Sequence, residues 1–378
     1  MRSRPYLVAL AALAGLGALV GWVSRDDGLP DFRLFAAAGH AILSGRWGQV
    51  YDDPTVQAGP FALLLAALCD RLGGVTFVCM VGIPLATLAA ALATRLLRHG
   101  LRRPRSRGLE LAAAAVTLAW ESALGAVLGG HVAQGLIPML WVGTGLAVLR
   151  RRPQLAGWLL ALSTGFEVWG ALGVPLLLLG TRRDAVRGLA VTTAGAVALY
   201  LPFTLAGPFR MFDYQWVVTP GSLPARVGLF GDGLPWWARC AQAALAVGAG
   251  ALVVRFRRDW DAVWLAPLVV VAVRLALDPQ AFTYYWTPLV ALGLAGVLTA
   301  PSGSPPTRVV LPVLLVGWPF LPVADGWVGL LVVTMPIAAV LTRPGAPVTR
   351  AFQAGNDCHS SGRFRPVGVA HSGLRRSG

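Results

Sequence analysis

Two carboxylates of this chain sit where chemistry could be done. Asp31 follows Pro30 and opens "DFRLFAAAGHAIL". Phe32, Phe35, Ala36, Gly39 and Ile42 recur at helical spacing, which predicts an amphipathic helix in a membrane interface with Asp31 at its N-cap. Asp31 then has two readings, a helix cap or a rigidly held general base acting on a hydroxyl acceptor. Glu167 lies within "LAGWLLALSTGFEVWGALGVPLLLLG". An ionisable group at membrane depth is costly and marks function by default. Its expected partner is Arg274, one turn before Asp278. A structural ion pair, or an Arg274 side chain snorkelling to the surface, is the plainer alternative.

Other residues could complete such a site. Glu121 and His131 flank one end of a helical hairpin and either line the same cavity or face headgroups. Arg33 and Arg226 are cations able to hold a phosphate or lipid headgroups. Tyr284, Tyr285 and Trp286 in "DPQAFTYYWTPL" suit an interfacial aromatic belt, and equally the stacking face of a sugar. "GLPWW" at 233–237 is similar.

The elements that position these residues must be membrane helices. The chain is 56% hydrophobic and 13% charged, against roughly 25% charged in soluble domains. Its mean hydropathy is +0.64. The net charge of +15 comes from 32 basic residues, all arginine, clustered between apolar runs as in cytoplasmic loops. That distribution argues against a nucleic-acid partner. Cys69, Cys79, Cys240 and Cys358 are scattered and read as neither a disulfide framework nor a metal site.

Arg2 and Arg4 place the N-terminus inside, and residues 6–23 form a retained signal anchor. The acid-rich stretch 24–58, with Asp26, Asp27, Asp31, Asp52 and Asp53, is then outside. Residues 59–69 are too short to span. Crossings are expected at 73–94, 109–128, 132–149, 188–206, 236–254, 261–277, 281–299, 309–322 and 327–342. The apolar run at 154–180 has basic flanks on both sides. Its roughly 27 residues are too few for two crossings, which predicts a short re-entrant hairpin with its tip at 164–170. The expectation is an all-α polytopic protein of the plasma membrane, with about ten full spans plus the hairpin. Both termini are cytoplasmic. Residues 1–342 form the membrane domain, including the outer loop 24–72, and 343–378 a disordered tail. No P-loop, HExxH, GxSxG or dinucleotide fingerprint is present. The energy for any reaction must therefore arrive with the substrate.

The run "DFRLFAAAGHAILSGRWGQVYDDPTVQAGPFALLL" resembles the first outer loop of glycosyltransferase family 87, the C-type, polyprenyl-phosphate-sugar-dependent membrane transferases. The matching features are Asp31-Phe32, Ala36 to Ala38, Gly45, Val50-Tyr51, and Gly59-Pro60 before "FALLL". "AGWLLALSTGFEVWGALGVPLLLLGTRRD" is similar to that family's hairpin, and "LDPQAFTYYWTPLVAL" to its late aromatic segment. The chain departs from the family at Ala58-Gly59-Pro60, where Tyr-Pro-Pro is usual, and at Glu167, where Lys is frequent. The resemblance implies C-type architecture and inverting transfer of mannose or another hexose from a polyprenyl-phosphate donor. The acceptor would be an envelope glycolipid or glycan. Asp31 would be the base. Arg33, Tyr51, Glu121, His131, Glu167, Arg226, Arg274, Asp278, Tyr284 and Tyr285 would contact substrate, with no cofactor or metal. Two other classes stay open. One is a transporter or flippase for a lipid-linked or small polar solute, more dependent on Glu167. The other is a non-catalytic envelope scaffold.

Overall fold

The computed structural model describes residues 4–23, 30–100, 103–118, 131, 133–220, 222, 224–225, 228, 233–257, 260–280 and 283–299. The chain divides into units Met1–Thr342 and Arg343–Gly378, and all described residues belong to the first. The expected spans at 309–322 and 327–342, the end of the 109–128 span and the tail lie outside the described residues, as do Glu121 and Arg226.

The described chain is mostly helical. Its helices are α1 (Arg4–Val23), α2 (Pro30–Leu43), α3 (Pro60–Arg71), α4 (Gly74–Gly100), α5 (Arg107–Leu118), α6 (Ala133–Leu149) and α7 (Pro153–Phe166). A 3-10 arm (Val168–Leu179) follows, then α8 (Arg182–Ala206), α9 (Trp236–Phe256), α10 (Ala262–Ala276) and α11 (Thr287–Thr299). A two-stranded antiparallel ribbon joins β1 (Trp216–Val217) to β2 (Gly233–Leu234).

Among the described residues four helices, α1, α4, α8 and α9, are long and apolar enough to cross a membrane. Their outward faces carry large apolar side chains, including Leu16 and Leu19 on α1, Leu88 and Leu92 on α4, and Val197 and Leu201 on α8. Such contiguous apolar exposure suits a lipid environment. Other expected spans are shorter. The 132–149 and 261–277 spans become α6 and α10, of 17 and 15 residues. Nearly every residue of α10 is buried, so it is apolar all round because other helices enclose it. Its Val263, Trp264, Leu265 and Val270 meet Trp141, Leu160, Leu176 and Leu289 in the larger core. A second core gathers Phe32, Phe35, Tyr51, Leu63, Phe203 and Met211.

The expected helical break in 154–180 is present. α7 ends at Phe166, Glu167 is fully extended (φ −148°, ψ 137°), and the 3-10 arm begins at Val168. A helix end leaves backbone groups unpaired. Here the Gly59 amide donates to the Phe166 carbonyl at 3.0 Å, and Ala58 pairs with Glu167 as an isolated β-bridge. Gly59 is needed for this approach, because a Cβ there would lie 2.3 Å from the Gly165 carbonyl oxygen. Tyr200 Oη also donates to the Thr164 carbonyl at 2.8 Å. On the far side, Trp141 Nε1 donates to the Gly170 carbonyl at 2.8 Å, where a glycine Cβ would collide with Ser163.

Candidate functional site

The break in the hairpin opens onto a cavity of about 350 Å3, whose polar wall includes His131, Gln134, Glu167, Trp169, Arg239, Gln242, Arg274 and Tyr285. These come from far-apart segments: the approach to α6, the hairpin break, the first turns of α9, the end of α10 and the turn before α11. Trp216 of the ribbon and Trp236 at the start of α9 supply flat apolar surface.

Asp31 lies in the first turn of α2, which begins at Pro30, rather than at an N-cap outside it. Its carboxylate is directed to another part of the chain. His131 Nε2 lies 3.0 Å from Asp31 Oδ2, and the Asp31 side chain is about half exposed (48%) while His131 is largely enclosed (11%). Asp31 is not itself among the residues lining the cavity; His131 connects the two. The imidazole stacks on Tyr284 with centroids 4.3 Å apart and planes 12° from parallel. Phe35 of α2 meets it edge-on at 5.5 Å. Burial alone lowers the imidazolium pKa, but hydrogen bonding to Asp31 and Glu167, with the negative charge of both, outweighs it and raises the pKa to about 9. His131 is therefore an imidazolium at neutral pH, held between two carboxylates.

Across the cavity a second charged group is assembled. Asp278 Oδ2 accepts from Arg239 Nη1 at 3.1 Å and lies 3.8 Å from Arg274 Nη2. Arg239 also donates to Gln242 Oε1 at 2.8 Å, and Gln242 Nε2 to the Arg274 carbonyl at 2.6 Å. The Arg274 guanidinium stands 4.6 Å from the Trp169 ring centroid and 5.1 Å from that of Tyr285. Arg239 stands 4.4 Å from Trp216. These are cation–π distances, and the rings hold each guanidinium in place. The expected Glu167–Arg274 pair is not formed among the described residues. Both side chains line the cavity, but Arg274 takes its carboxylate from its own chain segment, where the i,i+4 spacing puts Asp278 in reach.

The cavity has one further property. Among the described residues, four buried side-chain polar atoms have no hydrogen-bond partner: His131 Nδ1, Gln134 Oε1, Trp169 Nε1 and Arg274 Nη1. All four residues line this cavity. Buried polar atoms are rarely left unsatisfied in folded proteins. With His131 charged, three of the four are N–H donors, a set that suits a ligand rich in oxygen.

Several expected site residues have other positions. Tyr51 is wholly buried, packs on Phe203 and Phe209, and donates to the Ala58 carbonyl at 3.2 Å. It braces the loop that reaches Glu167 and does not line the cavity. Asp278 contributes through the arginines it holds. Arg33 is exposed on α2, away from the cavity lining. Asp26 and Asp27 lie outside the described residues; of the described loop acids, Asp53 closes a local turn with Thr55, and Asp213 pairs with Arg210. Gln134, Trp169, Arg239 and Gln242 were not anticipated. Arg239 and Gln242 are three apart at the start of a helix and hence on one face, a spacing that sequence reading could have used.

No protein-family model matches this chain, and neither a curated protein nor a solved structure is detectably similar to it.

Proposed function

We propose that the protein is a membrane glycosyltransferase moving a sugar from a polyprenyl-phosphate donor to a glycolipid or glycan acceptor. The observation that carries this reading is the gathering of four unpartnered buried polar atoms on one cavity, with Asp31 joined to its wall through His131. A phosphate oxygen complements the donors of Arg274, Trp169 and His131, while the indoles of Trp216 and Trp236 suit the face of a sugar ring. In the proposed reaction the Asp31 carboxylate takes the proton of the acceptor hydroxyl. The acceptor oxygen bonds to the anomeric carbon as the bond from that carbon to the phosphate oxygen breaks. The electron pair leaves with polyprenyl phosphate, and Arg274, supported by Arg239 and Asp278, stabilises the developing charge.

A transporter is the second reading, favoured by one specific feature: a buried carboxylate, Glu167, on extended backbone between two helical arms at the edge of a cavity. One experiment separates the two. Purified protein in detergent is assayed with polyprenyl-phosphate mannose, arabinose or glucose against envelope glycolipids. The transferase reading expects turnover that falls at least ~100-fold in Asp31→Asn even at a pH low enough to keep His131 charged, where donor binding is retained. No transfer by the wild type across the panel, together with Glu167-dependent uptake in liposomes, would establish the transporter instead.

A further inference from the structure

We propose that His131 is an ionisable donor for an oxyanion of the substrate, with Asp31 anchoring its Nε2 side so that Nδ1–H is offered to the cavity. The inference rests on the cavity being the seat of a phosphate-bearing substrate. It deepens that reading by naming a group whose charge decides whether the anion is held.

The geometry carries it. Asp31 Oδ2 engages Nε2 at 3.0 Å, the Tyr284 ring lies flat against one face of the imidazole, and Phe35 meets it edge-on. The ring is thereby fixed with its other nitrogen, Nδ1, buried on a residue that lines the cavity and without a hydrogen bond of good geometry, Glu167 being the other carboxylate that acts on the ring. A carboxylate on one ring nitrogen sets what the other presents. Here the ring is protonated, so Nδ1 presents a hydrogen.

The charges around the cavity give this proton its importance. Asp31 of α2, Glu167 at the hairpin break and Asp278 after α10 are the carboxylates; Arg239 of α9, Arg274 of α10 and His131 are the cations. Tyr284, from the turn before α11, covers the imidazole as a neutral phenol. With His131 protonated the two sets balance. With His131 neutral the surroundings carry one net negative charge, and Nδ1 faces the anion as a lone pair. The two states therefore differ in both charge and hydrogen-bonding sense toward the same phosphate oxygen. Arginine does not titrate in this range, and Cys240 of α9 is another titratable side chain on the cavity wall, so the His131→Gln variant assigns the switch.

The test is binding of farnesyl phosphate to the full-length protein in nanodiscs between pH 7 and 10, with farnesol as the uncharged control. Above pH 7 the probe is almost wholly the dianion, so its own charge is constant. Wild-type affinity should fall roughly tenfold or more as His131 deprotonates, a loss of ~1.4 kcal/mol per tenfold. Farnesol binding should stay level. In His131→Gln the affinity at pH 7 should already be about tenfold lower, with no slope toward pH 10. In Asp31→Asn the fall should move to lower pH. A His131→Gln variant that binds like the wild type and keeps its pH slope would overturn the proposal. A second measurement needs no His131 variant: in 13C-histidine NMR of the wild type, assigned with variants of the other histidines, added farnesyl phosphate should raise the His131 titration midpoint. A midpoint below 7, or one that ignores the probe, would equally overturn it. Neither measurement involves sugar transfer. A failed transferase assay with intact pH-gated binding would refute only the catalytic reading, and the reverse only this one.

Discussion

Two buried charged clusters in this molecule follow opposite rules. Near the start of α5, Glu110 is completely buried, and both its oxygens are satisfied. Arg105 Nε and Nη2 each donate at 2.9 Å, and Tyr6 Oη of α1 donates to the second oxygen. The Arg105 guanidinium also lies 5.0 Å from the centre of the Tyr6 ring. In the cavity cluster, by contrast, Arg274 spends one nitrogen on a 3.8 Å contact with Asp278 and leaves another with no partner. A closed fork with a capping hydroxyl ties α1 to α5 and has nothing left to offer a ligand. An open one keeps its binding capacity in reserve.

Mutation should separate the two most sharply through stability. Glu110→Gln leaves the Arg105 fork facing an amide. Because Arg105 is partly exposed, we expect about 2 kcal/mol of destabilisation, below the 3–5 of a fully buried pair. Arg274→Met should cost roughly 1 kcal/mol, mainly its ring contacts, yet weaken farnesyl phosphate binding more than tenfold, which Glu110→Gln should leave unchanged. Denaturation in mixed micelles alongside a binding isotherm reads both. Equal stability losses would erase the distinction.

The next effect is on pH. The His131 pKa is raised on folding, from an ordinary 6.5 to about 9. Its contribution to stability is therefore complete below pH 6.5 and is lost as the pH rises through 9. The melting temperature of the wild type should decline across that window, and that of His131→Gln should decline less. The smallest expected change is in Trp169→Phe, which keeps the ring beneath Arg274 but removes the unpartnered N–H. Binding should weaken about threefold, seen as a modest shift in the isotherm midpoint.

What could be read from sequence, and what could not, divides along the distance over which a contact acts. Local signals were legible. The apolar spacing after Asp31 gives α2, and the basic flanks and short length of 154–180 give the break at Glu167. The i,i+4 relation of Arg274 and Asp278 gives their proximity. Hydropathy, however, reports that a helix is apolar and not what covers it. α10 read as a crossing like any other, although the other helices enclose it. The Asp31–His131 bond joins residues 100 positions apart and depends on how α2 meets the approach to α6. Tyr51 looked like a substrate contact because of the motif around it; the fold instead uses its ring as core and its hydroxyl as a loop brace. Glu167 looked like the partner of Arg274 because opposite charges in an apolar chain invite pairing. The nearer Asp278 satisfies that demand first.

The unusual winding after Glu167 has a consequence for reach. Runs of 3-10 helix beyond three or four residues are uncommon, and this one has 12. At a rise of ~2.0 Å per residue it extends ~24 Å, where an α-helix of equal length would extend ~18 Å. Rewinding it as an α-helix would draw Val168 and the chain after Leu179 about 6 Å closer together.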